Sequence, residues 1–227
     1  MLMMKAGVFR PEKLISLRKI ESRYSEITAS AEDLRIGAMT TLRQLEKSNE
    51  VRMYAPLVTQ TLPTLSNVRV RNVATLGGHL AHGDPHMDLP PLFSVLGAKV
   101  MIAGTKGERA CPVEALYAGY LETTIAPAEI ITAVTVPAMG WRRAAYLKCT
   151  TRSADDWPAL GVAVLLDGQR TDIVVSAATD KPTRLASAEA AEQLRIEGDL
   201  HGSAAYKKQL LRVYLKRAID EARNARH

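Results

Sequence analysis

Apolar positions along this chain recur with two periods, and the switches between them outline its elements. Short alternating runs at residues 24–27 and 34–37, separated by Ala-Glu-Asp, predict two strands. A further strand is expected at 11–17, where Leu14, Ile15 and Leu17 follow Pro11. From Thr40 and Thr41 the spacing turns helical, and either threonine can cap a short helix carrying Leu42 and Leu45. Met53, Leu57, Val58, Leu62 and Leu65 extend a helical period over 51–65, with Pro56 near its first turn. Residues 69–88 break that regularity, because Gly77, Gly78, Gly83 and Asp84-Pro85 punctuate Val73, Leu76 and Leu80. A helix is then expected at 89–95, a strand at 99–103 turning at 104–107, and a strand at 130–136.

Residues 137–141 suit a boundary between a first domain at 1–137 and a second at 138–227. Beyond it, 145–148, 161–166 and 173–176 read as three strands at hairpin spacing, with Gly168 supplying a turn. Two helices close the chain, at 187–194 and from 203 to about 222. The last carries an apolar stripe of Leu211, Tyr214, Leu215, Ala218 and Ala222. The class is α+β: a mixed front part, then a three-stranded antiparallel sheet with helices.

With 227 residues, 47% apolar and 24% charged, the composition is that of a folded globular chain. No apolar run reaches the roughly 18 residues that span a membrane, and the start has no signal-peptide pattern. Cys111 and Cys149 are too few for a structural zinc site or an iron–sulfur cluster, so a cytoplasmic protein with two reduced thiols is expected. Residues 203–227 carry +5 of the net +6 charge. A grip on nucleic acid calls for basic residues spread over a face with aromatics among them, and aromatics are only 5%. The basic terminal helix therefore reads as a solvated face, and neither a nucleic-acid nor a membrane partner is expected.

Chemistry concentrates in residues 68–88. Paired glycines after Thr75 let a backbone approach a ligand that any Cβ would hold off. Consecutive free N–H groups there can face an anionic oxygen, the Thr75 hydroxyl adds a donor, and Asp88 offers an acceptor for a hydroxyl. The bland alternative is a glycine-rich turn with nothing bound. His79, His82, Asp84, His86 and Asp88 also place three imidazoles and two carboxylates within ten residues. Their spacing fits no helical ligand pair and no zinc finger, and no metal is expected. Cys149 and Trp157 read as core packing.

The wording of the loop is more specific than its glycines. Val70-Arg71-Asn72-Val73-Ala74-Thr75-Leu76-Gly77-Gly78, then Ala81-His82-Gly83-Asp84-Pro85, then Asp88-Leu89-Pro90-Pro91, resembles the flavin loop of the medium subunit of molybdenum hydroxylases. This is the xanthine dehydrogenase and aerobic carbon monoxide dehydrogenase family. Similar stretches at 34–41, 129–137, 145–148 and 202–210 extend the resemblance over almost the whole chain. It implies a flavin-binding domain of the p-cresol methylhydroxylase type holding FAD without a covalent bond. Carried over by motif, Thr75, Leu76, Gly77, Gly78, His79 and Asp84 belong to the cofactor loop, with Asp88 accepting from a flavin-side hydroxyl. Ile131 falls where an apolar residue meets the ring system, and Lys148 where a lysine approaches the flavin. The implied partners are a molybdopterin-binding large subunit and a 2Fe–2S small subunit, in a heterotrimer or its dimer. Electrons would pass from clusters through FAD to NAD, oxygen or a quinone.

Three departures from the family pattern stand out. An earlier glycine-rich phosphate loop is absent, which makes the flavin domain read as truncated at its N-terminal part. His79 replaces the usual asparagine after Gly-Gly, and part of the stretch around 195–199 is missing. The competing reading is a flavin-free remnant with a structural or assembly role.

Overall fold

The computed structural model describes residues 2–225. After a first turn, α1 (Leu2–Lys5), residues 6–21 form no strand, and Leu14 and Ile15 lie exposed. The strand expected at 11–17 is thus not formed. Apolar side chains alone do not make a strand; a neighbour must take the backbone groups, and none lies alongside.

The first sheet contains β1 (Ile27–Ala29), β2 (Asp33–Gly37), β3 (Lys99–Gly104), β4 (Gly107–Pro112) and β7 (Ile130–Pro137). It is antiparallel throughout, in the order β1-β2-β7-β3-β4. Leu34, Ile36, Val100, Ile102, Val134 and Val136 form its buried face. Between β2 and β3 run α2 (Leu42–Lys47), α3 (Asn49–Tyr54), α4 (Pro56–Thr61), α5 (Val68–Arg71), α6 (Leu76–Ala81) and α7 (Leu89–Val95). Thr41 caps α2 with a full capping box closed by Gln44. The helical period at 51–65 is cut in two at Ala55, because Pro56 pushes the residue before it out of the helical region. A short hairpin, β5 (Tyr117–Gly119) and β6 (Glu122–Thr123), links the two halves of the sheet.

The second sheet has four strands, not three: β8 (Arg143–Cys149), β9 (Leu160–Asp167), β10 (Arg170–Ser176) and β11 (Thr183–Leu185). Only three residues long, β11 is too short to show alternation. The helix expected at 187–194 is a single tight turn at Glu189–Glu192 with only Ala191 buried. The terminal helix, α8 (Ala204–Asn224), forms as expected, capped by Ser203.

Period two in the second sheet decides what meets what. Leu160, Val162, Val164, Ile173 and Val175 face Leu211, Leu215, Ala218 and Ala222 of α8. The alternate positions Ala144, Ala163, Leu165 and Val174 face the other way, into the core shared with the helices and first sheet. By the same parity Tyr146 and Lys148 point toward that shared side. There α7 is buried along all seven of its residues, as an element apolar on every side must be.

A flavin loop between two clefts

The segment 68–88 holds two short helices, α5 and α6, and its geometry is set by a few polar anchors. Asn67 accepts from the amides of Arg69 (3.0 Å) and Val70 (3.1 Å) to start α5. Arg71, itself buried, binds Glu46 of α2 (2.9 Å) and the Leu65 carbonyl (3.0 Å), fixing α5 to the helical layer. Thr75 then caps α6, its hydroxyl accepting from the Gly78 amide at 3.2 Å.

The two glycines serve different needs. A Cβ at Gly77 would lie 2.8 Å from the Ala38 Cβ, so this glycine permits close packing of α6 on the end of β2. A Cβ at Gly78 would meet only the Thr75 hydroxyl, at 3.1 Å, and otherwise stand in open space. The expectation of consecutive free amides is corrected here. Leu76 donates to Thr40 (2.9 Å), Gly77 to Ala38 (2.8 Å), Gly78 to Thr75, and His79 to the Thr75 carbonyl (2.9 Å). The amides are used because the loop is a helix start laid against β2, not an open turn.

Two hollows flank this strip. One, of about 570 Å³, is lined by Thr75, Gly78, His79, His86, Asp88 and Trp157 among others. The other, of about 220 Å³, holds Thr75, Gly77, Gly78 and Ile131. Leu76 is fully buried in the core and supports the strip from beneath. His79 is buried, and its Nε2 has no hydrogen-bond partner within the protein. Burial, helped by neighbouring His82, pushes this imidazole down to about 3, so it is neutral.

Asp88 lines the larger hollow and is already held within the protein. Its Oδ1 accepts from the Tyr146 hydroxyl at 2.7 Å and its Oδ2 from Lys148 Nζ at 3.0 Å. Lys148 also donates to the Thr64 carbonyl at 2.8 Å. Burial pushes Asp88 above its ordinary value, although Lys148 and Tyr146 pull the other way. The Tyr146 hydroxyl is driven well above its ordinary value by the same burial and the carboxylate beside it. Room for the Tyr146 ring comes from Gly161, where a Cβ would lie 2.7 Å from the tyrosine oxygen and 2.5 Å from Ser176 Oγ. Gly161→Ala is therefore expected to cost about 1–3 kcal/mol in urea denaturation through overpacking.

Asp84 does not reach the cleft lining; its Oδ1 binds the His86 amide (2.9 Å) and His86 Nδ1 (2.8 Å). Of the five His and Asp side chains of the loop, Asp84 and His86 bind each other, whereas Asp88 binds Tyr146 and Lys148. Among the described residues, no three His, Cys, Asp or Glu side chains are grouped so as to hold a metal ion. Trp157, expected in the core, is 44% exposed and stacks on His86 at 5.7 Å between ring centroids. His86 and Trp157 line the larger hollow and Tyr146 holds Asp88 at its wall; Trp157 and Tyr146 meet their partners across long stretches of sequence.

Residues 1–139 match the family described as the FAD binding domain in molybdopterin dehydrogenase. The chain belongs to this family. The carbon monoxide dehydrogenase medium chain of Afipia carboxidovorans is 28% identical over 244 residues, covering 97% of this chain and 84% of that one. The nicotine 6-hydroxylase medium subunit of Paenarthrobacter nicotinovorans is 29% identical over 215 residues, covering 83% and 75%. Among solved structures, the carbon monoxide dehydrogenase of Hydrogenophaga pseudoflava superposes with a TM-score of 0.91 at 28% identity, over 97% of this chain and 85% of that one. The chain is an FAD-binding subunit of an oxidoreductase of the molybdenum hydroxylase family. The strip fits that cofactor: Gly78 leaves open space where a side chain would stand, and His79, which lines the cleft, has a buried nitrogen with no partner within the protein.

Proposed function

We propose that this chain carries FAD as the medium subunit of a complex with a molybdopterin-binding large subunit and a 2Fe–2S small subunit. Electrons then leave the complex for an external acceptor such as NAD, oxygen or a quinone. A division into an FAD domain at 1–137 and a C-terminal domain at 138–227, a heterotrimer or its dimer, and a cytoplasmic location belong to the same proposal. The observation that carries it is the Thr75–Gly78 strip, open above Gly78 and flanked by two hollows, inside the segment that matches the family.

FAD when bound supplies the redox chemistry, exchanging electrons singly or in pairs. The chain's own residues position and polarise. Gly78 admits a close approach, and the Thr75 hydroxyl, which accepts from Gly78, keeps its own proton to donate outward. Neutral His79 contributes one hydrogen bond at Nε2. Ile131 gives the smaller hollow an apolar wall. Lys148 holds a positive charge whose position is fixed by Asp88 and the Thr64 carbonyl, a charge suited to an electron-rich ring system. Asp88 fixes Lys148, and each of its oxygens keeps a lone pair for a flavin-side hydroxyl.

A flavin-free structural subunit is favoured by one observation, the internal use of the loop amides. Flavin fluorescence titration separates the two. With Gly78→Val, FAD affinity is expected to fall at least tenfold with the circular dichroism unchanged. Equal affinity in the variant excludes the strip as the site, and no binding by either protein supports the structural reading.

A further inference from the structure

The wall between the 570 Å³ cleft and a neighbouring hollow of about 340 Å³ is built from two stacked rings, His86 and Trp157, which line both. His86 is buried and has a carboxylate at each nitrogen. Nδ1 lies 2.8 Å from Asp84 Oδ1, and Nε2 lies 2.8 Å from Asp199 Oδ2, a residue 113 positions away. Only an imidazolium has two N–H groups to give, so both contacts stand together in the protonated form alone. Asp199 Oδ2 is also bound at 2.6 Å by Lys207 Nζ, which is fully buried and donates to the Ala177 carbonyl at 2.7 Å. Two carboxylates, one ammonium and one imidazolium balance; without the imidazolium proton, a partly buried negative charge is left over.

We propose that His86 is a proton-dependent latch between the two clefts. Protonated, it ties the 197–203 turn to the Asp84 loop; neutral, it releases that turn. The contact that breaks is the one to Asp199. Asp84 stays in place because it also accepts the His86 amide, whereas Asp199 retains Lys207 as a partner when the imidazole lets go. The turn is tied at its ends, where Glu197 donates to the Ala178 carbonyl and Lys207 binds Asp199; between them Asp199 and Gly202 exchange backbone bonds, His201 donates to Asp199 Oδ1, and Leu200 is wholly exposed. Groups facing His86 from other elements are few. His201 lies 5.1 Å away between ring centroids, Lys207 approaches from α8, and Asp155 and Asp156 flank Trp157 on the wall of the larger cleft. His82, on the same loop, acts on Asp84. Asp180 and Glu197 line the smaller hollow and add negative charge on that side. Burial works against the charged imidazole, but Asp84 and Asp199 outweigh it and hold His86 above its ordinary value. Opening the latch would join the two hollows along the Trp157 edge.

The latch is a property of the chain without cofactor, so its test is independent of flavin binding. NMR titration of the full chain without added FAD is expected to show the His86 ring titrating above 6.5. Between 6.5 and that step, protection factors of the Glu197 and His201 amides should fall by up to tenfold per pH unit, the limit for release of one proton, and level off above it. In His86→Gln the same protection factors should be low and independent of pH over that range. A ring that titrates at or below 6.5, or protection that does not change across the wild-type step, overturns the proposal. Should the glutamine variant fail to fold, the wild-type titration decides alone.

Discussion

Asp88→Ala is expected to lower stability by about 3–5 kcal/mol, because it leaves a buried ammonium without its counter-charge. The Lys148 side chain is 9% exposed and Asp88 7%, so solvent cannot replace the lost partner. Tyr146 loses its acceptor in the same step. Urea denaturation of the apo chain measures the loss. Lys148→Met in the Asp88→Leu background should recover most of it, since the charge and its partner then disappear together. A loss below about 1 kcal/mol for Asp88→Ala would show that Lys148 reaches water and is not fixed where the proposed function needs it.

The second large effect is one of pH. His79 is neutral in the folded chain, with a value near 3 against 6.5 when unfolded. The unfolded chain therefore binds a proton first, and stability that is complete above 6.5 is lost as pH falls toward 3. The slope is up to about 1.4 kcal/mol per pH unit. His86 does not mask it: held above its ordinary value, it is protonated in both states at acid pH, and its own contribution is lost only as pH rises. Asp199 enters lower still. Burial raises it, but Lys207 and His86 hold it at about 2, so its contribution fades only below 3.8. Stability measured from pH 7 to 4 should fall steeply in the wild type and much less in His79→Gln. Parallel curves would place His79 in water instead of the core.

What could be read from the sequence was local. The strand at 99–104 shows itself through alternation, and those at 130–137 and 160–167 through short apolar, β-branched runs buried on both faces. Helix α8 shows itself through its apolar stripe, and the glycine-rich loop through its resemblance to the family that residues 1–139 match. Pro56 was visible too, yet its effect depends on the residue before it leaving the helix.

Other features depend on distance in sequence. Nothing near Asp88 says that Tyr146 and Lys148, 58 and 60 positions on, will take both its oxygens. Nothing near His86 points to Asp199. The loop amides misled for a physical reason: free N–H groups were inferred from glycines, but a glycine also allows close packing. At Gly77 that packing brings the amide onto the Ala38 carbonyl. Trp157 was assigned to the core on residue type, whereas its stacking on His86 places it at the mouth of a cleft.

The central claim is that this chain holds FAD on the Thr75–Gly78 strip without a covalent bond. The most direct test is gel filtration of the chain after incubation with FAD, followed by its visible absorbance and release of the flavin by acid precipitation. The account predicts about one FAD per folded chain, freed intact by acid. A folded chain that elutes with no flavin would contradict it.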